Sequence, residues 1–323
     1  MSAELLLRDW HWDATVEGDD EQALGRGPKA RLYNFLMRVR FWGTRGSVPT
    51  PGPSTVRYGG NTACVEMRTN AGTFLIFDSG TGIRELGLEL GRQGGSVSAH
   101  LLLGHTHWDH IHGFPFFTPV FVPGNHLVIY GARDLDRSLR DVLAGQMHYT
   151  YFPVPLGDLR ADIEFIELEE GQIRIQDAVV RTHYLNHTAV CMGYRVEADG
   201  VSVAYVTDHE PYGSVGNGLR GGFVHGGDRR LIDFVRGVDL LIQDAQYTPD
   251  EYGARRGWGH GSTDYVTDVA VEAHARRVAL FHHEPTHADA EIDRMVEYSR
   301  KRAREVGSQI DVFGAAEGDE LVL

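Results

Sequence analysis

The chain has 323 residues, 42% of them hydrophobic, with a formal net charge of −14, 17 histidines and two cysteines. Length and apolar content allow a sizeable core in one large domain or two, and no apolar run reaches the roughly 18 residues of a transmembrane helix. The acidic balance lacks the basic stripe usual in nucleic-acid binders, so a large RNA or DNA is not expected as the main substrate and a small molecule is.

Cys64 and Cys191 give neither a disulfide framework nor zinc-finger spacing, so buried free thiols are expected. Leu5-Leu6-Leu7 runs into Arg8 and Asp9 and makes no signal-peptide core, which places the protein in the cytoplasm. Residues 1–37 read as a mostly irregular extension. It holds Trp10 and Trp12, which suit packing on the domain, on a partner subunit in a homodimer, or over a substrate.

From Arg38 the pattern becomes regular. Val39-Arg40-Phe41-Trp42 alternates like a strand and enters Gly43-Thr44-Arg45-Gly46-Ser47. Val65–Arg68 and Thr73–Phe77 read as hairpin strands across Asn70-Ala71-Gly72. Arg84–Gln93 reads as a short helix, and Asp134–Leu143 as another. Met147–Pro155 is aromatic-rich. Cys191–Val196 is strand-like. Gly213–Gly227 carries seven glycines and suits a mobile loop beside a site. A helix is expected over Ser262–Ala275, capped by Ser262 or Thr263. Another runs from Ala288 to Val306, with Thr286-His287-Ala288-Asp289 as a capping box.

Five apolar runs share one layout. Phe74–Phe77 leads to Asp78, Leu101–Leu103 to His105, Val203–Val206 to Asp208, Leu240–Ile242 to Asp244, and Val278–Phe281 to His282. Each run delivers a ligand-type residue at its C-terminal end, where layered α/β proteins gather their sites. One shared site accounts for all five.

The densest stretch is Leu101-Leu102-Leu103-Gly104-His105-Thr106-His107-Trp108-Asp109-His110. In an extended segment His105 and His107 point the same way and can share one cation. Asp109 and His110 face elsewhere and suit a second cation, as in two-metal hydrolytic sites.

The His-x-His-x-Asp-His pattern resembles the metallo-β-lactamase-fold superfamily, and the resemblance covers roughly residues 38–323. It implies an α/β, four-layer αββα sandwich, here a catalytic domain over 38–323. It also implies a metal-dependent hydrolase. By resemblance, His105 and His107 take a third histidine, His187, with His183 as the competitor. Asp208 matches the bridging carboxylate, with His209 beside it as a supporting residue. The second metal takes Asp109, His110, Asp208 and His282, with His283 as the alternative. Asp78 matches an acid that orients a histidine; it can also cap the turn at Ser79-Gly80. Such a donor set suits two divalent ions, zinc first, with manganese or iron as alternatives.

Trp258-Gly259-His260-Gly261-Ser262-Thr263 resembles a Gly-His-Ser-Thr segment in the phosphodiesterase branch, which includes the tRNA 3′-end processing enzymes and a cyclic-phosphate diesterase. One glycine is inserted here. The resemblance implies that His260 assists the leaving group, supported by Asp244, with Asp109 also at the chemistry. The expected function is phosphodiester hydrolysis, with Arg45, Arg57 and Arg220 as sources of phosphate-binding charge. Hydrolysis of a carbon ester, thioester, lactone or β-lactam on the same metals is the alternative. A non-hydrolytic metal-binding role is a third reading, and the intact donor set argues against it.

Overall fold

The computed structural model describes residues 37–134, 136–213, 223 and 225–323. Trp10, Trp12 and Arg220 lie outside the described residues, as does most of Gly213–Gly227.

The first half supplies strands β1 (Arg38–Gly43), β2 (Cys64–Arg68), β3 (Phe74–Phe77), β4 (Ser98–Leu102), β5 (His126–Ala132) and β6 (Asp162–Leu168). The second half supplies β7 (Gly171–Ile175), β8 (Ala178–Leu185), β9 (Cys191–Ala198), β10 (Val201–Val206), β11 (Leu240–Asp244), β12 (Arg277–Phe281) and β13 (Asp311–Gly314), and the chain ends on β14 (Glu320–Val322). Two seven-stranded sheets result, ordered β14-β1-β2-β3-β4-β5-β6 and β13-β12-β11-β10-β9-β8-β7. The helices are α1 (Ile83–Gln93), α2 (Trp108–Ile111), α3 (Leu139–Gln146), α4 (Gly226–Phe234), α5 (Pro249–Arg255), α6 (Thr263–Glu272) and α7 (Asp289–Glu305).

The layering follows from strands that are apolar on both faces, which must be covered on both. Leu75 and Phe77 of β3, Val203 and Tyr205 of β10, and Ala279 and Phe281 of β12 meet in the core between the sheets. Their neighbours point outward. Phe74 and Ile76 pack with Ile83, Leu86 and Leu90 of α1. Ala204 and Val206 pack with Leu231 of α4, Val266 of α6 and Ile292 of α7. Helix, sheet, sheet and helix make the expected four-layer sandwich.

Strand direction then assembles the site. β3 to β6 are mutually parallel, as are β10 to β13. β8 runs antiparallel to β9, and β9 to β10, so β8 ends at the same edge as β10. The five ligand-type residues and His187 therefore share one edge.

Three helix expectations shift. The third helix begins at Leu139 rather than Asp134, because the Ser138 hydroxyl accepts from the Asp141 amide and caps it there. The last helix starts at Asp289 after Ala288, with no capping box. The Asp289 carboxylate is instead engaged by the amides of Arg57 and Tyr58, which pin the preceding loop. Ser262 sits at the N-cap of α6, but its hydroxyl donates to Asp264 rather than capping an amide.

Among the described residues, no helix is long and apolar enough to cross a membrane. Both cysteines are buried and free.

Candidate metal centre

Two groups of donor atoms converge at the shared strand edge. The nitrogens of His105, His107 and His187 lie within 4.8 Å of one another, and so do the donor atoms of Asp109, His110, Asp208 and His282. Asp208 faces both groups. Its Oδ1 lies 4.0 Å from His105 Nε2 and 3.9 Å from His187 Nε2. Its Oδ2 lies 3.0 Å from His110 Nε2 and 3.5 Å from His282 Nε2.

Backbone conformation aims these side chains. Asp78, Asp208 and His282 have φ of 57°, 56° and 60°. That left-handed region costs a non-glycine residue about 1–3 kcal/mol, and it persists where the surrounding fold enforces it. Each residue directly ends or closely follows a buried strand, whose packing fixes the turn.

The rings are held from behind. Asp78 accepts from His110 Nδ1 at 2.8 Å, from the Gly104 amide at 2.7 Å and from the Tyr205 hydroxyl at 2.6 Å. It therefore orients a histidine and braces the next strand end, rather than capping its own turn. His187 Nδ1 donates to the Gly259 carbonyl at 2.8 Å, and His282 Nδ1 donates to Gln246 Oε1 at 3.3 Å. His105 Nδ1 faces Cys191 Sγ at 3.8 Å. Acceptors of this kind fix the tautomer and aim the other nitrogen at a metal.

The fit to a cation is visible in the inner atoms. His105 Nε2 is buried without a hydrogen-bond partner. Asp109 Oδ2 lies 3.2 Å from His110 Nε2 and 3.1 Å from His282 Nε2. With neutral rings these are acceptors facing acceptors, which a buried site tolerates only with positive charge between them. Burial holds the His105, His107 and His187 rings below the usual histidine range, in the neutral form that binds metal. Burial opposes charge on His110 too, but Asp109, Asp208 and Asp78 push it well above that range. Either a proton or a metal ion answers those three carboxylates.

Gly43-Thr44-Arg45-Gly46-Ser47 builds one wall of the site. The Ser47 amide donates to Asp109 Oδ2 at 2.8 Å. A Cβ on Gly46 would lie 2.5 Å from the His282 ring, so only glycine lets the loop approach there. Arg45 does not supply phosphate-binding charge. It is fully buried, and it donates to the carbonyls of Gly59, Glu284 and His287. Arg57 is paired with Asp293 on the surface. Both expectations are corrected: one guanidinium is spent on backbone carbonyls and the other on a carboxylate.

His260 lies where the inserted glycine left its placement open. Its Nδ1 donates to Asp244 Oδ2 at 2.9 Å and lies 3.5 Å from Asp208 Oδ1. Burial disfavours its charge, but Asp244, then Asp208 and Asp109, push its pKa up to about 9.

His283 is turned away, donating from Nε2 to the Ala315 carbonyl at 2.8 Å. His183 pairs with Glu170 and stacks on Phe234, outside both donor groups. His209 accepts the Asn186 amide at 3.1 Å and so supports the segment that carries His187. Tyr149 and Tyr151 are exposed, while Phe152 packs on Phe116. Gln246, Tyr205 and Glu210 also support the centre, and no local sequence signal marks them.

His282→Ala is expected to lose one metal equivalent per chain. His283→Ala should keep both equivalents and lose only about 1–3 kcal/mol of stability. Elemental analysis and thermal melts of the two variants check this, and the reverse pattern would exchange the assignments.

Sandwich and donor groups together define a metallo-β-lactamase-type protein with a His/Asp centre suited to divalent metal ions. The family model described as "Beta-lactamase superfamily domain" matches residues 74–283, more than half of the chain, and the chain belongs to that superfamily. Ribonuclease Z of Haloarcula marismortui is 24% identical over 303 residues, covering 82% of this chain and 92% of the relative. The metallo-beta-lactamase fold protein YhfI from Bacillus subtilis shares the fold with a TM-score of 0.61 and 18% identity, over 88% of this chain and 98% of that one. Human tRNase Z, short form, does so with a TM-score of 0.59 and 18% identity, over 88% of this chain and 98% of that one.

These relatives correct the expected exclusion of large nucleic acids. Proteins named Ribonuclease Z match most of this chain, so net charge does not rule such a substrate out. The physical reason is range. Surface charge is screened over about 10 Å at 0.1 M salt, so a whole-chain sum says little about one cleft.

Proposed function

We propose that the chain is a binuclear metal-dependent phosphodiesterase, with residues 38–323 as its catalytic domain and residues 1–37 as an extension. The observation that carries this reading is Asp208, whose two oxygens face two separate donor groups. The broader class, a metal-dependent phosphoric diester hydrolase, also has the support of relatives named Ribonuclease Z.

His105, His107 and His187 would hold one ion with Asp208 Oδ1. Asp109, His110 and His282 would hold the other with Asp208 Oδ2. Zinc suits the donors, and manganese or iron are the alternatives. Divalent ions held there would lower the pKa of water toward about 7 and neutralise charge on phosphoryl oxygens. Asp109, fixed by the Ser47 amide, orients the attacking water. Asp244 occupies His260 Nδ1, which leaves Nε2 to donate a proton to the departing oxygen. The Asp244 carboxylate at Nδ1 favours the protonated ring that this role needs.

The test is turnover by zinc- or manganese-loaded protein. Bis-p-nitrophenyl phosphate, a cyclic nucleotide and a short RNA are compared with a lactone and a chromogenic β-lactam. Diester cleavage without lactone or lactam cleavage is the expected result. Lactone cleavage with no diester cleavage would replace the reading by carbon-ester hydrolysis.

A further inference from the structure

One buried acid at the shared edge has no part in the chemistry above. Glu210 follows Asp208 by two residues and is 7% exposed. Its Oε1 accepts from the Gly257 amide at 2.6 Å and the Tyr252 hydroxyl at 3.1 Å. Its Oε2 accepts from the Gly259 amide at 2.9 Å. Three donors from the α5 region and the loop after it converge on one carboxylate.

That loop touches both halves of the site. The Gly259 carbonyl accepts from His187 Nδ1 at 2.8 Å, and the next residue is His260. Gly259 has φ of +89°, and a Cβ there would lie 2.2 Å from His187 Nδ1. The contact therefore depends on glycine at that position. Glu210 also grips the other side of His187. Its backbone amide donates to the Asn186 carbonyl, and Asn186 Nδ2 donates back to the Glu210 carbonyl, each at 2.8 Å.

We propose that Glu210 is a positioning residue that fixes His187 and His260 together, so that metal binding and proton donation share one support. The His260 half rests on the phosphodiesterase reading, and the His187 half does not. A carboxylate is needed because both oxygens must accept. Glutamine has one acceptor oxygen, and its amide would set N–H against a buried backbone N–H. Aspartate is one methylene short of the span.

The test uses Glu210→Gln and Gly259→Ala in the full chain. Cobalt(II) titration followed by visible absorption reads metal affinity. Diesters with alkoxide and p-nitrophenolate leaving groups read the proton donor. Glu210→Gln should weaken one of the two cobalt equivalents about 10–100-fold, the usual effect of losing a residue that orients a ligand. It should also lower kcat on the alkoxide diester more than on the p-nitrophenolate diester, at similar KM. Gly259→Ala, with Glu210 intact, should move both readouts the same way. Tyr252→Phe, which removes one donor of the three, should give a smaller loss in both and decides the matter if Glu210→Gln does not fold.

A lower melting temperature with wild-type cobalt affinity and wild-type leaving-group ratio would mean a merely structural role and overturn the proposal. So would a change in one readout alone. If the wild type binds cobalt but cleaves no diester, the phosphodiesterase reading fails by itself. The Nδ1–H NMR signals of His187 and His260 in the zinc protein then decide the coupling. Both should shift or broaden in Glu210→Gln, and unchanged signals would overturn it.

Discussion

Asp208→Ala is expected to strip metal from both donor groups and lower kcat/KM on a diester by about 10³-fold or more. The size follows from what the ions contribute. Metal stabilisation of transition-state charge is worth several kcal/mol, and each 1.36 kcal/mol is a factor of ten. Its two oxygens divide between the groups, His105 and His187 meeting Oδ1 while His110 and His282 meet Oδ2. The carboxylate is buried. Burial alone would raise its pKa, but the imidazoles facing it, His282 and His110 foremost, hold it well below the usual carboxylate range. The charged form is therefore the favoured one. Alanine would leave the five donor imidazoles and Asp109 without the shared anion, so each donor group would lose a ligand. Metal analysis by mass spectrometry on protein purified without chelator, paired with diester kinetics, reads both effects. Two metal equivalents and full activity in the variant would remove Asp208 from the centre.

His260→Ala is expected to slow an alkoxide-leaving diester by about 10²–10⁴-fold, the range for general acid assistance. A p-nitrophenolate diester should lose far less, because that group departs without a proton. Both metals should remain, since Asp208 and the donor histidines are untouched. In the proposed mechanism the proton sits on one atom. Asp244 takes Nδ1 at 2.9 Å, so Nε2 is the nitrogen left for substrate. Asp244→Asn should move rates in the same direction by less, because it orients the ring without touching substrate. Equal losses on both leaving groups would make His260 a phosphate-binding residue instead.

The central strands of both sheets were legible in the sequence, while β5 to β8, β13 and β14 were not read from it. Strands β3, β4, β10, β11 and β12 announce themselves as short apolar runs and β1 by its alternation, and a buried strand needs little beyond its own residues to be read. The helix boundaries were less legible, because side chains from distant loops decided them. Ser138 caps the third helix locally, but Asp289 is captured by the amides of Arg57 and Tyr58, more than two hundred residues earlier in the chain.

The sequence by itself determined which residue types meet at the centre. Strand ends at Asp78, His105, Asp208, Asp244 and His282 carry the ligand chemistry, and parallel strands bring their ends to one edge. Tertiary structure alone decided the rest. His282 and His283 are adjacent and chemically equal, and only the positive φ at His282, with Gly46 against its ring, turns the first inward. Arg45 reads as a free cation in sequence, yet it is buried and its Nη1 donates to two carbonyls more than two hundred residues away. Glu210 carries no signal at all, because its role lies in the distance from its carboxylate to Gly257 and Gly259. Hydrogen bonds depend on separations of about 3 Å, and the folded chain, not the order of its residues, sets those separations.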